Sequence, residues 1–193
     1  MTSPKLRQFL IEHPEASLAL SNALSEAFSN RSVHLFYMYS EDESISRASH
    51  YYEDASSVGI VLRENQQPTD ECICLIYEIL NSEGEKRFKQ LTEQAKSGTV
   101  TKEDFVKGIL REEFPTEMKM QKIVGTFKLT KKEKKESYFY DQIIHEPSDF
   151  EAAIAYKKKA AHNQELIKFY EQEYANLRAT GPRSNQSMQP TPR

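Results

Sequence analysis

The sequence predicts an α+β fold, mainly helical, with a small antiparallel sheet of two or three strands and a long C-terminal helix. Three observations carry this. Apolar residues recur at helical spacing over most of the chain. Aromatic-rich apolar runs of strand character are confined to 32–64. Glycine is scarce, six residues in 193, leaving Gly98 and Gly181 to punctuate helix ends and no glycine-rich ligand loop. A chain of this length suits one domain that buries about 70% of its unfolded surface. Ten Phe and ten Tyr supply the apolar area that a disordered chain lacks. The folded body is expected over 1–178, with 179–193 (Gly181, three prolines and polar residues) as a disordered polar tail.

Each element has a local reason. The first thirty residues read as helix: Ser3 precedes Pro4 as an N-cap precedes a first-turn proline. Leu6, Phe9 and Leu10 share one face, and Leu18, Ala19, Leu24 and Phe28 continue the spacing beyond Pro14. Val33 through Tyr39 is an apolar, aromatic run that reads as a strand. Val58, Ile60, Val61 and Leu62 mark a second, and His50, Tyr51 and Tyr52 a short third between them. So small a sheet needs helices over one face.

After Pro68 the chain turns helical, with Thr69 as N-cap and Asp70 and Glu71 at the positive end of the dipole. Ile73, Ile76, Tyr77 and Leu80 form an apolar stripe that Phe88, Leu91 and Ala95 extend, Gly84 splits and Gly98 closes. Thr101 with Asp104 opens a helix through Phe114, and Pro115 separates it from the next, which runs from Thr116 through Phe127. Lys131 to Glu136 reads as a solvated charge run, and Tyr138 to Ile144 fits a short strand or a helix equally. Ser148 with Glu151 is a capping box ahead of the last helix. There Tyr156, Asn163, Ile167, Tyr170, Tyr174 and Leu177 make a seam suited to packing within the molecule.

Composition excludes several functions. Twenty-six basic against 29 acidic residues leave a net charge of −3, without the basic footprint of a nucleic-acid binder. No apolar run reaches the roughly 18 residues a membrane span needs, and the N-terminus lacks the pattern of a secretory signal, so a cytoplasmic location is expected. Cys72 and Cys74 point to nearly opposite sides of a helix and read as core thiols. His13, His34, His50, His145 and His162 include no i, i+4 pair, so no metal site is expected. Around Gly98 and Asp104 the spacing imitates a calcium loop, but Glu93, Ala95 and Ser97 supply too few oxygens for the ion. Neither a G-x-S-x-G elbow nor a phosphate-binding loop is present, and no cofactor is expected.

One segment carries a resemblance. From Val58 to Arg87 a strand runs through a short polar turn into an amphipathic helix centred on Tyr77-Glu78-Ile79-Leu80-Asn81. This order resembles the edge strand and active-site helix of zincin metallopeptidases, whose H-E-x-x-H helix holds Zn²⁺ between two histidines with the glutamate as general base. Glu78 matches that glutamate, while Tyr77 and Asn81 stand at the histidine positions. Glu103, Glu112 and Glu113 lie on the following helix, and none can be assigned as a third ligand. The wording of the helix is also similar to bacterial proteins of unknown function in which it has lost its ligands. The resemblance therefore implies a degenerate scaffold without zinc hydrolysis.

The leading expectation is a non-catalytic binding or interaction protein that accepts an extended peptide or protein partner along the strand edge at Val58 to Arg63. A rival is a hydrolase using Glu78, with Tyr77, Asn81 and His50 as neighbours in a pocket between sheet and helix. A third is an oligomer that packs the seam at Tyr170 and Tyr174 between subunits.

Overall fold

A computed structural model describes residues 2–27, 32–38, 48–52, 57–159 and 161–181. In chain order these form α1 (Pro4–Glu12), α2 (Pro14–Ala27), β1 (Ser32–Met38), β2 (Ala48–Tyr52), β3 (Ser57–Arg63), α3 (Pro68–Asn81) and a 3₁₀ turn (Ser82–Gly84). There follow α4 (Glu85–Ser97), α5 (Lys102–Gly125), α6 (Lys131–Glu136), α7 (Tyr140–Ile144), α8 (Phe150–Lys159) and α9 (Ala161–Thr180). The fold is α+β and mainly helical, with a small sheet and a C-terminal helix. The expected tail falls mostly in 182–193, outside the described residues. Two compact units are distinguished, one of Met1–Gly84 with Glu113–Ala153, the other of Glu85–Glu112 with Ile154–Arg193.

In the first unit the N-terminal helix is two helices. Ser3 caps α1, its Oγ accepting from the Leu6 amide at 3.0 Å, as the sequence predicts. The break comes at His13 because Pro14 disfavours helical geometry in the residue before it and has no N–H to continue the ladder. As the first residue of α2, Pro14 loses nothing by lacking that donor.

The sheet order is β1-β3-β2, with β2 antiparallel to β3 and β1 parallel to it. The expected all-antiparallel arrangement is thus corrected to a mixed sheet. Strand β3 takes the centre: Val58, Ile60 and Leu62 are fully buried, Ser57 and Gly59 on the alternate positions are buried too, and Val61 and Arg63 are half-buried. Strand β1 alternates instead, with Val33, Leu35 and Tyr37 packed against the core and His34 and Phe36 exposed. Val58 pairs with Val33 on one side and Tyr52 on the other, and Leu62 with Tyr37 and Ala48. Val58 to Arg63 is therefore not a free edge.

Helix α3 is the hub. It packs on β2, β3, α1 and α2, and only Pro68 and Tyr77 of its 14 residues escape full burial. The coverage takes in its polar residues Thr69, Asp70, Glu71, Glu78 and Asn81 as well as the apolar stripe read in the sequence. Its N-cap is Gln67, not Thr69, since Pro68 takes the first helical position. Its Ile73 and Ile76 share one core with Leu6, Phe9, Ile60, Met120 and Val124.

Three further local readings change. Pro115 lies inside one continuous α5 instead of dividing two helices. Proline removes one ladder bond, but buried residues on both sides of it, Ile109 and Leu110 before and Met120 and Val124 after, hold the helix in register. The charge run Lys131–Glu136 is helical: Thr130 and Glu133 form a capping box, a T-x-x-E signature present in the sequence. Helix α8 is capped by Asp149, whose Oδ1 accepts from the Ala152 amide at 2.9 Å, and not by Ser148.

In the second unit α4 ends as expected at Gly98, with φ of +75°. The Thr99 amide donates to Gln94 O at 3.0 Å and the Gly98 amide to Ala95 O at 3.1 Å, the Schellman pattern. Tyr174 of α9 donates its hydroxyl to Val100 O at 3.0 Å and sets its ring 5.6 Å from Phe105, and Tyr170 is buried. The tyrosine seam packs within this unit.

Candidate functional site

Helix α3 places Glu78 and Asn81 in the interior and Tyr77 half-buried against the apolar core. Glu78 is neither exposed nor paired with a lysine of its own helix, which has none. His50 lies on β2 with its backbone opposite Ile60, and its side chain is outside the described residues. The strand preceding the helix is the centre of the sheet, where the zincin resemblance implies an edge. Among the other acids considered, Glu112 takes an ion pair from Arg87 at 2.9 Å and Glu103 is exposed. Among the described residues no group of three or more His, Cys, Asp or Glu is placed to hold a metal ion.

A more elaborate polar construction sits at the other end of α3. Glu71 is buried, and its carboxylate accepts from the Tyr37 hydroxyl at 2.5 Å and the Ser3 hydroxyl at 2.7 Å. The Ser3 amide in turn donates to the Tyr37 oxygen at 2.8 Å. Burial first, and then the bond to the anionic Glu71, push the Tyr37 phenol up to about 12. Asp70, equally buried, accepts from Ser137 Oγ at 2.5 Å, the Tyr138 amide at 3.0 Å and the Phe139 amide at 3.3 Å. The sequence shows these two acids as helix-dipole partners; their real partners are 34 to 69 residues away. Burial pushes the neighbouring Cys72 thiol up to about 12, aided by the Glu71 charge, which makes it an inert core group.

A third cluster lies where α1 turns into α2. The His13 ring is buried, 4.4 Å from the Phe9 ring, with Nε2 at 2.8 Å from Glu133 Oε1 and Nδ1 at 3.5 Å from Glu15 Oε1. Glu133 also accepts from the Thr130 amide and hydroxyl, both at 2.7 Å, and Glu15 from the Lys128 amide at 2.8 Å. The Lys128 bond leads in holding Glu15 below the usual carboxylate range. For Glu133 burial alone acts upward, and the Thr130 and His13 contacts outweigh it to give a lowered value.

Between these clusters runs a groove of about 280 Å³, walled by Lys5, Gln8, Phe9 and Glu12 of α1, by Gln67, Pro68 and Thr69 at the head of α3, and by Glu133 and Glu136 of α6. Glu78 is not among the lining residues.

No family model, curated protein or solved structure matches the chain. Of the residues singled out in the sequence, Tyr77, Glu78 and Asn81 share a helix in the core, whereas the groove is built from residues the sequence presents as caps and surface charges. The signal that could have found part of it is the Thr130–Glu133 capping box, which fixes α6 as a wall.

Proposed function

We propose that the protein is a non-catalytic binding module that receives an extended peptide as an added strand on the outer edge of β1. The observation that supports this reading is the character of β1 as a sheet edge. Among the described residues β3 is the only strand that pairs with it, and its seven residues carry no proline, glycine or lysine of the kind that blunts edges. Backbone hydrogen bonds along the edge supply affinity, and alternate side chains supply selectivity. Phe36, 44% exposed on the solvent face, is the side chain an incoming strand would pack against. The scaffold is zincin-like in chain order, with Tyr77 and Asn81 where ligands would stand, and the peptide edge moves from β3 to β1.

A peptide array probed with the purified protein tests this. Peptides of alternating apolar character are selected, and Phe36→Lys lowers their binding by up to about fivefold while leaving the far-ultraviolet circular dichroism unchanged, since an aromatic cross-strand pair contributes up to ~1 kcal/mol. An array that selects no peptide, or a Phe36→Lys profile unchanged from that of the wild-type protein, refutes the reading.

A further inference from the structure

We infer that the β1 edge is self-complementary: two copies of the chain pair through it, antiparallel about a two-fold axis at Leu35, and a peptide and the second copy compete for it. The inference rests on the preceding reading in one respect, that the edge of β1 is open to an incoming strand.

The pattern of the strand carries the symmetry. A two-fold contact places residue i opposite residue j of the other copy and j opposite i, so a strand suits its own copy when its pattern reads alike from both ends. Strand β1 does so about Leu35. Leu35 then faces Leu35 of the second copy, Val33 faces Tyr37, and His34 faces Phe36. Val33, Leu35 and Tyr37 lie on the core face, where all three are only half-buried. His34 and Phe36 lie on the exposed face. Apolar side chains thus meet on one face of the joined sheet, and an aromatic ring meets an imidazole on the other. This axis uses all seven residues of the strand, whereas an axis moved to Phe36 leaves five in register.

Charge supports the same occupant. Strand β1 carries no Lys, Arg, Asp or Glu, so self-pairing sets no like charges opposite each other, the usual obstacle to a strand meeting its own copy. The edge is also preformed. The Tyr37 hydroxyl is held by Glu71 and by the Ser3 amide, and β3 fixes the inner side of the strand, so pairing orders little that is not ordered already. Closure favours β1 over the other edge. Pairing β1 with β2 of a second copy is heterologous and adds copies without limit, whereas β1 on β1 closes after two. It also joins two three-stranded sheets, each at the smallest size that stands alone, into one of six strands.

The test is sedimentation velocity of the whole chain over about 1 to 100 μM. A reversible monomer–dimer equilibrium is expected, with no larger species. His34→Glu and Phe36→Lys alter the exposed face alone, and far-ultraviolet circular dichroism checks that each folds. Each weakens the dimer by up to about 25-fold, since a cross-strand pair contributes up to about fivefold and the symmetry supplies the 34–36 pair twice. The two changes combined in one chain restore dimerisation, because each introduced carboxylate then faces an introduced ammonium. A peptide selected on the array shifts the equilibrium to monomer. A wild-type chain that stays monomeric, single changes that leave the dimer unmoved, a combined variant no stronger than the singles, growth beyond two copies, or a selected peptide that binds without releasing the second copy overturns the inference. Should a variant fail to fold, hydrogen exchange of the β1 amides in the wild-type chain decides: protection that rises with concentration supports the pairing, and constant protection refutes it. The two readings fail separately. A monomer that still selects peptides removes the second copy alone, and an array that selects none removes the peptide while the 34–36 rescue keeps the dimer.

Discussion

Replacing Asp70 by alanine tests whether the head of α3 organises the segment that follows α6. Its buried carboxylate accepts from Ser137 Oγ at 2.5 Å, from the Tyr138 amide at 3.0 Å and from the Phe139 amide at 3.3 Å. Hydrogen bonds to a charged group contribute about 1.5–3 kcal/mol when buried, and the Ser137 bond is the buried one of the three. The two amides are partly buried and can turn to water, so each contributes closer to ~0.5 kcal/mol. Removing a charge from the interior also recovers some desolvation, which offsets part of the loss. The net destabilisation is about 2–3 kcal/mol, or roughly 5–10 °C in Tm for a chain of this size. The chain has no Trp, so urea and thermal unfolding are followed by far-ultraviolet circular dichroism. Asp70→Asn keeps one acceptor and loses about half as much. Ser137→Ala combined with Asp70→Ala costs less than the two single changes together, because both remove the same bond. A loss below ~1 kcal/mol in Asp70→Ala, or strict additivity with Ser137→Ala, would show that the carboxylate is incidental to the fold.

Two other outcomes follow from the same structure. Tyr37→Phe leaves Glu71 with one fewer donor and the Ser3 amide without its acceptor, and lowers stability by about 1–3 kcal/mol in urea unfolding. In the wild-type protein Tyr37 ionises near 12, where an ordinary tyrosine does so at about 10. The unfolded chain thus loses that proton first, and the Tyr37 contribution to stability is complete below about 10 and falls as pH rises toward about 12. Spectrophotometric titration checks this, with one slow phenol disappearing in Tyr37→Phe. Gly98→Ala forces a side chain into the left-handed region at φ +75° and against the Arg178 guanidinium, which donates to Lys96 O at 3.2 Å. The expected cost is about 1–2 kcal/mol, with Gly98→Asn costing less because asparagine tolerates that region; equal stabilities in thermal melts would contradict the Schellman assignment.

Much of the fold was legible along the chain because its causes are local. The Ser3–Pro4 start, the glycine stop at Gly98 and the Thr101–Asp104 box depend on residues within one helical turn, and each stands where the sequence places it. The misreadings have equally specific causes. Thr69 and Ser148 are good caps displaced by better local geometry at Gln67 and Asp149. Pro115 reads as a breaker in the sequence because propensity counts the lost bond and not the buried residues that hold the helix on either side. The candidate site was least legible, since its bonds join residues such as Ser3 and Glu71, or His13 and Glu133, across long sequence separations.

By itself the sequence determined a helix-rich α+β chain and the absence of any apolar run able to span a bilayer, because periodicity and composition are properties of neighbours along the chain, whereas Leu18 and Leu24, at helical spacing in the sequence, are exposed. Only the tertiary structure decided that β3 lies between β1 and β2, which are the edges among the described residues, and that Asp70, Glu71 and Glu133 are anchors and not surface charges. Strand order and buried polar partners depend on which distant segments meet, and burial makes each such partner obligatory.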